Sequence, residues 1–125
     1  MMDSRIKQII KYIDENLDKV IMLEKLAQDY NISYCYLSDL FKKEAGISFS
    51  KYLIKKRIKK AKKLLCKKSL MIKQISYSVG YKYISNFNHD FKRLTGLSPS
   101  KYKKKTKIFL KFLNLVKIQK SNNLI

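Results

Sequence analysis

Among 125 residues there are three glycines, one proline and no tryptophan. A β-sandwich or barrel needs a turn every ten residues or so, and glycine and proline are the residues that build turns. An all-α class is therefore favoured before any periodicity is read. The two cysteines, Cys35 and Cys66, stand at no metal-ligand spacing and make no disulfide framework. With a single histidine, His89, the chain offers no metal set and little catalytic machinery, so a non-enzyme without cofactors is expected. No run approaches the roughly 20 apolar residues that cross a bilayer. Met1–Ile10 carries charges where a secretory leader would be apolar. Reduced thiols and a cytoplasmic location follow as expectations. Acid is also scarce: beyond residue 50 the only carboxylate side chain is Asp90.

What is present is basic charge, unevenly placed. Residues 1–50 hold seven basic and eight acidic side chains, a net of −1, while residues 51–125 hold 22 and one, a net of +21. Such asymmetry points to a polyanionic partner at the second half. An AT-rich coding sequence would also inflate lysine, but it would enrich the first half equally, and it has not. Hydrophobic residues make up 46 %, enough for a core, so the chain is not a solvated tail.

Apolar spacing gives a run of helices. Ile6, Ile10, Ile13 and Leu17, with Ile9 beside them, form one stripe, with Asp3 or Ser4 available as N-cap. Leu23, Leu26, Ala27 and Tyr30 mark a second, short helix, stopped at Asn31, which tolerates the left-handed conformation. Ser33 then caps a third helix carrying Leu37, Leu40 and Phe41 and ended by Gly46. A longer connector is expected from Ser50 to about Lys67, with Ile54, Ile58, Ala61 and Leu65 buried and lysines over the rest. Two more helices follow around Met71–Val79 and Tyr83–Leu94, broken by Gly80. Ser98-Pro99 supplies a cap and a first-turn proline for a last turn through Tyr102.

An internal repeat organises these pieces. Phe41-Lys42-Lys43-Glu44-Ala45-Gly46-Ile47-Ser48-Phe49-Ser50-Lys51-Tyr52 recurs as Phe91-Lys92-Arg93-Leu94-Thr95-Gly96-Leu97-Ser98-Pro99-Ser100-Lys101-Tyr102, at an offset of 50. Upstream, Leu26-Ala27 pairs with Ile75-Ser76, so the second copy has one extra residue in its turn. Two helix-turn-helix units joined by one long helix account for this pattern. In such a unit the first helix needs a small residue at the crossing and the turn needs a permissive one. Ala27 with Asn31, and Ser76 with Gly80, meet both demands.

These residues resemble the C-terminal DNA-binding domain of AraC/XylS transcription regulators. The match is most specific in Ile75, Val79-Gly80-Tyr81, Phe87, Phe91-Lys92-Arg93, Gly96 and Ser98-Pro99 through Tyr102. Leu26-Ala27, Tyr36-Leu37, Phe41-Lys42, Gly46, Arg57, Ala61 and Leu64-Leu65 extend it over roughly residues 5–104. The resemblance implies seven helices in two lobes, binding to double-stranded promoter DNA, and transcriptional activation through contact with RNA polymerase. Asp39 and His89 stand where members of the family often have arginine, so the target sequence does not carry over.

Lobe one is expected at about 5–48, the connector at about 50–67, lobe two at about 70–104, and a basic, apolar extension of unassigned role at 105–125. Residues pointing away from the apolar faces are the candidates for reading base edges. On the first reading helix these are Tyr34, Cys35, Ser38 and Asp39, the last with the alternative of an ion pair to Lys43 one turn on. On the second they are Lys82, Tyr83, Ser85, Asn86, Asn88 and His89; Ile84 is shared evenly between a thymine methyl and the core. Phosphate contacts are assigned to Lys51, Lys55, Arg57, Lys92, Arg93, Lys101 and Lys103, with a structural bond left open for Arg57. The extension is expected to pack on the second lobe, with self-association and a membrane surface as alternatives. The expected protein is a free-standing regulator or a piece of a larger one, on the bacterial nucleoid when bound. It would act on DNA as a monomer unless the extension dimerises it. A basic module for RNA or an acidic protein partner is the alternative, but RNA's deep, narrow major groove does not admit a reading helix.

Overall fold

The computed structural model describes residues 2–67 and 69–123, and the described residues form seven helices. These are α1 (Ser4–Glu15), α2 (Leu23–Asp29), α3 (Tyr34–Ala45), α4 (Phe49–Leu65), α5 (Ile72–Ser78), α6 (Ile84–Thr95) and α7 (Pro99–Asn123). Asp3 caps α1, its carboxylate accepting from the Arg5 amide at 2.8 Å. Ser33 caps α3 by accepting from the Tyr36 amide at 3.1 Å.

Two hydrophobic cores form, and α4 is common to both. Ile6, Ile9 and Ile13 of α1 meet Leu26, Ala27, Leu37 and Phe41 in the first core, and Phe49 and Leu53 of α4 close it. Ile58, Ala61 and Leu65 of α4 meet Ile75, Val79, Phe87 and Phe91 in the second. The connector therefore carries two short stripes rather than the single one expected from Ile54 to Leu65. Ile54 is only half-buried, because it falls where the buried face passes from one core to the other.

The repeat is repeated in three dimensions. Asn31 (φ 55°) and Gly80 (φ 103°) each end the first helix of a unit in the left-handed region. Ile32 and Tyr81 each return an amide to the carbonyl five residues back, on Ala27 and Ser76, both at 3.0 Å. The second turn is the longer by one residue, as the spacing implied. Gly46 and Gly96 end α3 and α6 at φ 83° and 81°. Ser48 and Ser98 then cap α4 and α7, accepting from the amides of Lys51 and Lys101, both at 3.3 Å. Edge-on aromatic contacts complete each unit: Phe41 to Tyr52 at 5.4 Å and Phe91 to Tyr102 at 5.3 Å between ring centres.

The C-terminal segment departs from expectation. No breaker follows Pro99, so α7 runs on past Tyr102 as one helix through Asn123 instead of turning back onto lobe two. Ile108, Phe109, Phe112, Leu113 and Leu115 stay exposed along it. Leu124 and Ile125, the end of the expected extension, lie outside the described residues.

Candidate nucleic-acid interface

Each lobe presents the second helix of its helix-turn-helix, α3 or α6, with one face in the core and the other free. Leu37 and Phe41 bury one side of α3, and Phe87 and Phe91 bury the same side of α6. At the offset of 50 the outward residues then correspond: Cys35 to Ser85, Tyr36 to Asn86, Ser38 to Asn88 and Asp39 to His89. All of these are exposed except Ser38, which is half-buried. Tyr34 is exposed at the first turn of α3. Lys82 and Tyr83 are exposed just before α6, with the Lys82 ammonium 5.5 Å from the centre of the Tyr83 ring. Ile84, the first residue of α6, is half-buried, between the two roles it was given.

Tyr36 was named only as part of the family match, yet it lies 50 % exposed among the base-reading candidates. The guanidinium of Arg5 lies over its ring at 5.7 Å and is itself held by Asp3 at 3.0 Å. The match of Tyr36 to Asn86 at the offset of 50 was the available signal for Tyr36; nothing in the sequence pointed to Arg5. The expected ion pair between Asp39 and Lys43 is not among those formed by the described residues. The spacing allows it, but both side chains remain in solvent, where such a pair gains little.

The phosphate candidates divide into two groups. Lys51, Lys55, Lys92, Arg93 and Lys101 have exposed side chains. Lys51, Lys55 and Arg93 also line an open cleft of about 710 Å³ between the lobes, joined there by Lys59 and Lys62 over a floor that includes Ile54 and Ile58. Asp90, the one acid of the second half, pairs with only one of them: it lies 3.7 Å from Arg93 and accepts from the Tyr81 hydroxyl at 2.8 Å. Burial, followed by the Asp90 bond, holds the Tyr81 hydroxyl far above the ordinary phenol range, so it stays a donor.

Arg57 and Lys103 are committed inside the molecule. Arg57 Nε donates to the Leu17 carbonyl at 3.1 Å and a terminal nitrogen donates to the Lys19 carbonyl at 2.9 Å. Its guanidinium also lies 6.0 Å from the centre of the Tyr81 ring, against Gly80. Burial lowers its pKa from the usual arginine value. Of the two roles open to Arg57, the geometry thus gives the structural bond. Lys103 Nζ donates to the Leu70 carbonyl, which ties the start of α7 to the loop before α5. All three carbonyls lie in loops outside the helical ladders, where a side-chain donor meets an acceptor the backbone leaves open.

Among the described residues, no helix is long and apolar enough to cross a membrane. Comparison with known proteins gives one consistent answer. A family model described as a helix-turn-helix domain matches residues 26–105. An uncharacterised HTH-type transcriptional regulator of Escherichia coli, YdiP, is 36 % identical over 105 residues, which is 84 % of this chain and 35 % of that protein. The regulator YtdP of Bacillus subtilis is 36 % identical over 95 residues, 76 % of this chain and 12 % of its own length. The chain thus spans about a third or less of these curated relatives. Among solved structures, the C-terminal domain of AraT, a response regulator from Geobacillus stearothermophilus, superposes with a TM-score of 0.79 at 34 % identity, covering 83 % of this chain and 87 % of that one. The DNA-binding domain of AdpA in complex with a target DNA shares the fold at a TM-score of 0.80 and 20 % identity, over 85 % and 96 % of the two chains. The relatives are transcription regulators rather than enzymes. With the duplicated unit, its caps and its turns in place, the chain belongs to the AraC-type family of helix-turn-helix DNA-binding transcription regulators.

Proposed function

We propose that this chain binds double-stranded promoter DNA sequence-specifically, setting α3 and α6 into successive major-groove turns, and that it activates transcription. The observation that carries the reading is the structural repeat itself: two reading helices with matched buried faces and matched outward positions, on a rigid connector. The 17 residues of α4 span ~25 Å at ~1.5 Å per residue, against a repeat of ~34 Å between successive major-groove faces. The exposed cations of α4, α6 and α7 supply the sequence-independent part of binding. The outward side chains of α3 and α6 supply base readout. A site of about two turns is bound by one copy in the cytoplasm. Contact with RNA polymerase accompanies activation, in line with a Staphylococcus xylosus relative named as a lactose operon transcription activator.

Selection of bound duplexes from a random pool tests this. A two-part motif with half-sites about one helical turn apart is expected. Substituting Ser85 or Asn88 should alter the preferred bases of one half-site only. Substituting Lys51 or Lys101 should weaken all sequences alike and reduce the salt slope by ~0.9 per lost phosphate. A preference unchanged by Ser85→Ala and Asn88→Ala together would remove α6 from base reading. Tighter binding to structured RNA than to any duplex would overturn the whole reading.

A further inference from the structure

At the start of α1 stands a linked trio of side chains, Asp3, Arg5 and Tyr36, with no counterpart on α6 among the described residues. Asp3 accepts from Arg5 Nε at 3.2 Å and from a terminal nitrogen of the same guanidinium at 3.0 Å. So held, the guanidinium lies 5.7 Å from the centre of the Tyr36 ring, and its terminal nitrogen donates to the Tyr36 hydroxyl at 3.5 Å. Tyr36 belongs to α3, 31 residues along the chain from Arg5, and stands outward where Asn86 stands on α6. Lys82 lies over Tyr83 before α6, but these are sequence neighbours, and none of the ion pairs formed by the described residues involves Lys82.

The trio does two things to the tyrosine. A ring on a helix surface is free to change rotamer, whereas a cation over its face and a bond at its tip select one orientation before DNA arrives. The hydroxyl also acquires a direction. Its oxygen already accepts from a guanidinium, whose charge opposes the approach of a second donor, while its own proton remains to be given. Asp3 balances the charge of Arg5, so the trio exerts little general pull on phosphates. What it offers is one placed donor.

On the reading of α3 as a helix that enters the major groove, we propose that Tyr36 is a specificity-determining residue and that Arg5, anchored by Asp3, is its positioning residue. The Tyr36 hydroxyl donates to an acceptor on a base edge. Guanine offers N7 and O6, adenine N7 and thymine O4, but cytosine presents only its N4 amine. Tyr36 therefore acts by exclusion: it admits three bases and rejects cytosine on the strand it touches, because amine, hydroxyl proton and guanidinium would all be positive. Asn86, at the matching place, has both a donor and an acceptor, so the two halves of an operator are read by different rules there. Fixing the ring in advance also spares its ordering on binding, which is worth about two- to tenfold in affinity.

The test is selection of bound duplexes from a random pool by the full chain, repeated with Tyr36→Phe, with Arg5→Met, and with Ser85→Ala and Asn88→Ala together. The last variant marks the half-site read by α6, so the other half belongs to α3. In that half the native chain should disfavour cytosine at one position. Tyr36→Phe keeps the ring and loses the hydroxyl, and should accept cytosine there as readily as the other bases. Arg5→Met keeps the amide that Asp3 caps. It should relax the same position, lower affinity for the native site by about two- to tenfold, and leave the α6 half unchanged. A merely structural role would weaken every sequence alike and shift no single base. A selected motif without two parts would refute the groove reading and the proposal with it. Given a two-part motif, three results would overturn the proposal alone: native tolerance of cytosine throughout the α3 half, a Tyr36→Phe preference identical to the native one, or an unchanged preference in Arg5→Met. Should that last variant instead weaken all sequences with a salt slope shallower by ~0.9, Arg5 would be a phosphate contact.

Discussion

Replacing Arg57 by alanine removes the link by which the connector holds both lobes in register. Its guanidinium donates to the Leu17 and Lys19 carbonyls of lobe one while lying against Gly80 and Tyr81 of lobe two. A hydrogen bond to a charged group contributes about 1.5–3 kcal/mol. The Lys19 carbonyl is on the surface and water can replace its donor, so the second bond counts for less than the first. With the lost packing of the side-chain stem, the destabilisation should come to ~2–3 kcal/mol. For a chain of this size that lowers the melting temperature by about 8–11 °C. Arg57→Lys should keep the charge and still lose most of this, since a single ammonium nitrogen cannot stand at both the Nε and the terminal-nitrogen positions that meet the two carbonyls. Thermal unfolding reads the loss directly. Salt-dependent DNA binding separates the structural role from the phosphate role that the same arginine could have had. The slope of affinity against salt should be unchanged in Arg57→Ala, whereas loss of a phosphate contact would make it shallower by ~0.9. An unchanged melting temperature together with a shallower slope would refute the reasoning.

Gly80→Ala should be far more damaging than Gly46→Ala or Gly96→Ala, by urea unfolding. All three have positive φ, costing roughly 1–2 kcal/mol in a residue with a Cβ, but only at Gly80 would the new methyl run into the Leu17 carbonyl and the Arg57 guanidinium. Ser76→Ala should be neutral or stabilising, by up to ~1 kcal/mol, because the fully buried Ser76 hydroxyl has no hydrogen-bond partner among the described residues and lobe one already has Ala27 at the matching place; a clear loss of stability would show an unseen partner. At the start of α1, the Arg5 side chain and then its amide hold the Asp3 carboxyl below its ordinary value. With the folded value lower than the unfolded one, the stabilisation is complete above about pH 4 and is lost as pH falls through the folded value. Amide exchange in the first turn of α1 should therefore quicken on acidification, and Asp3→Asn should flatten that dependence.

The architecture was legible because its punctuation is chemical. Asn31, Gly46, Gly80 and Gly96 are placed where only left-handed backbone closes the helix, and Ser33, Ser48 and Ser98 are placed where the next helix needs a cap. The outward faces of α3 and α6 followed from the burial of Leu37, Phe41, Phe87 and Phe91. Other features were not accessible to spacing. A 3.6-residue period finds one stripe, so it merged the two half-stripes of α4, where Leu53 serves one core and Ile58 the other. Whether Arg57 meets a carbonyl or a phosphate depends on a loop 38–40 residues away in sequence, and a guanidinium suits both. The run of α7 past Tyr102 was marked by the lack of any glycine or proline after Pro99, a signal that composition alone contains. That its apolar stripe would then stay uncovered depends on the direction in which α7 leaves the lobe, which no local pattern encodes.

Because α4 is shared by both cores and is pinned through Arg57 at its midpoint, its length is a fixed gauge. One residue inserted before Arg57 would swing lobe two as a body by ~100° and advance it by ~1.5 Å, so its core would survive but the Arg57 fork would miss the lobe-one carbonyls. Lys59 and Lys63, pointing to solvent, bear no such restriction. Evolution can therefore exchange one outward side chain of this rod for another of like charge while being barred from gaps within it. Operators recognised by chains of this build would then drift in base composition but not in helical phase.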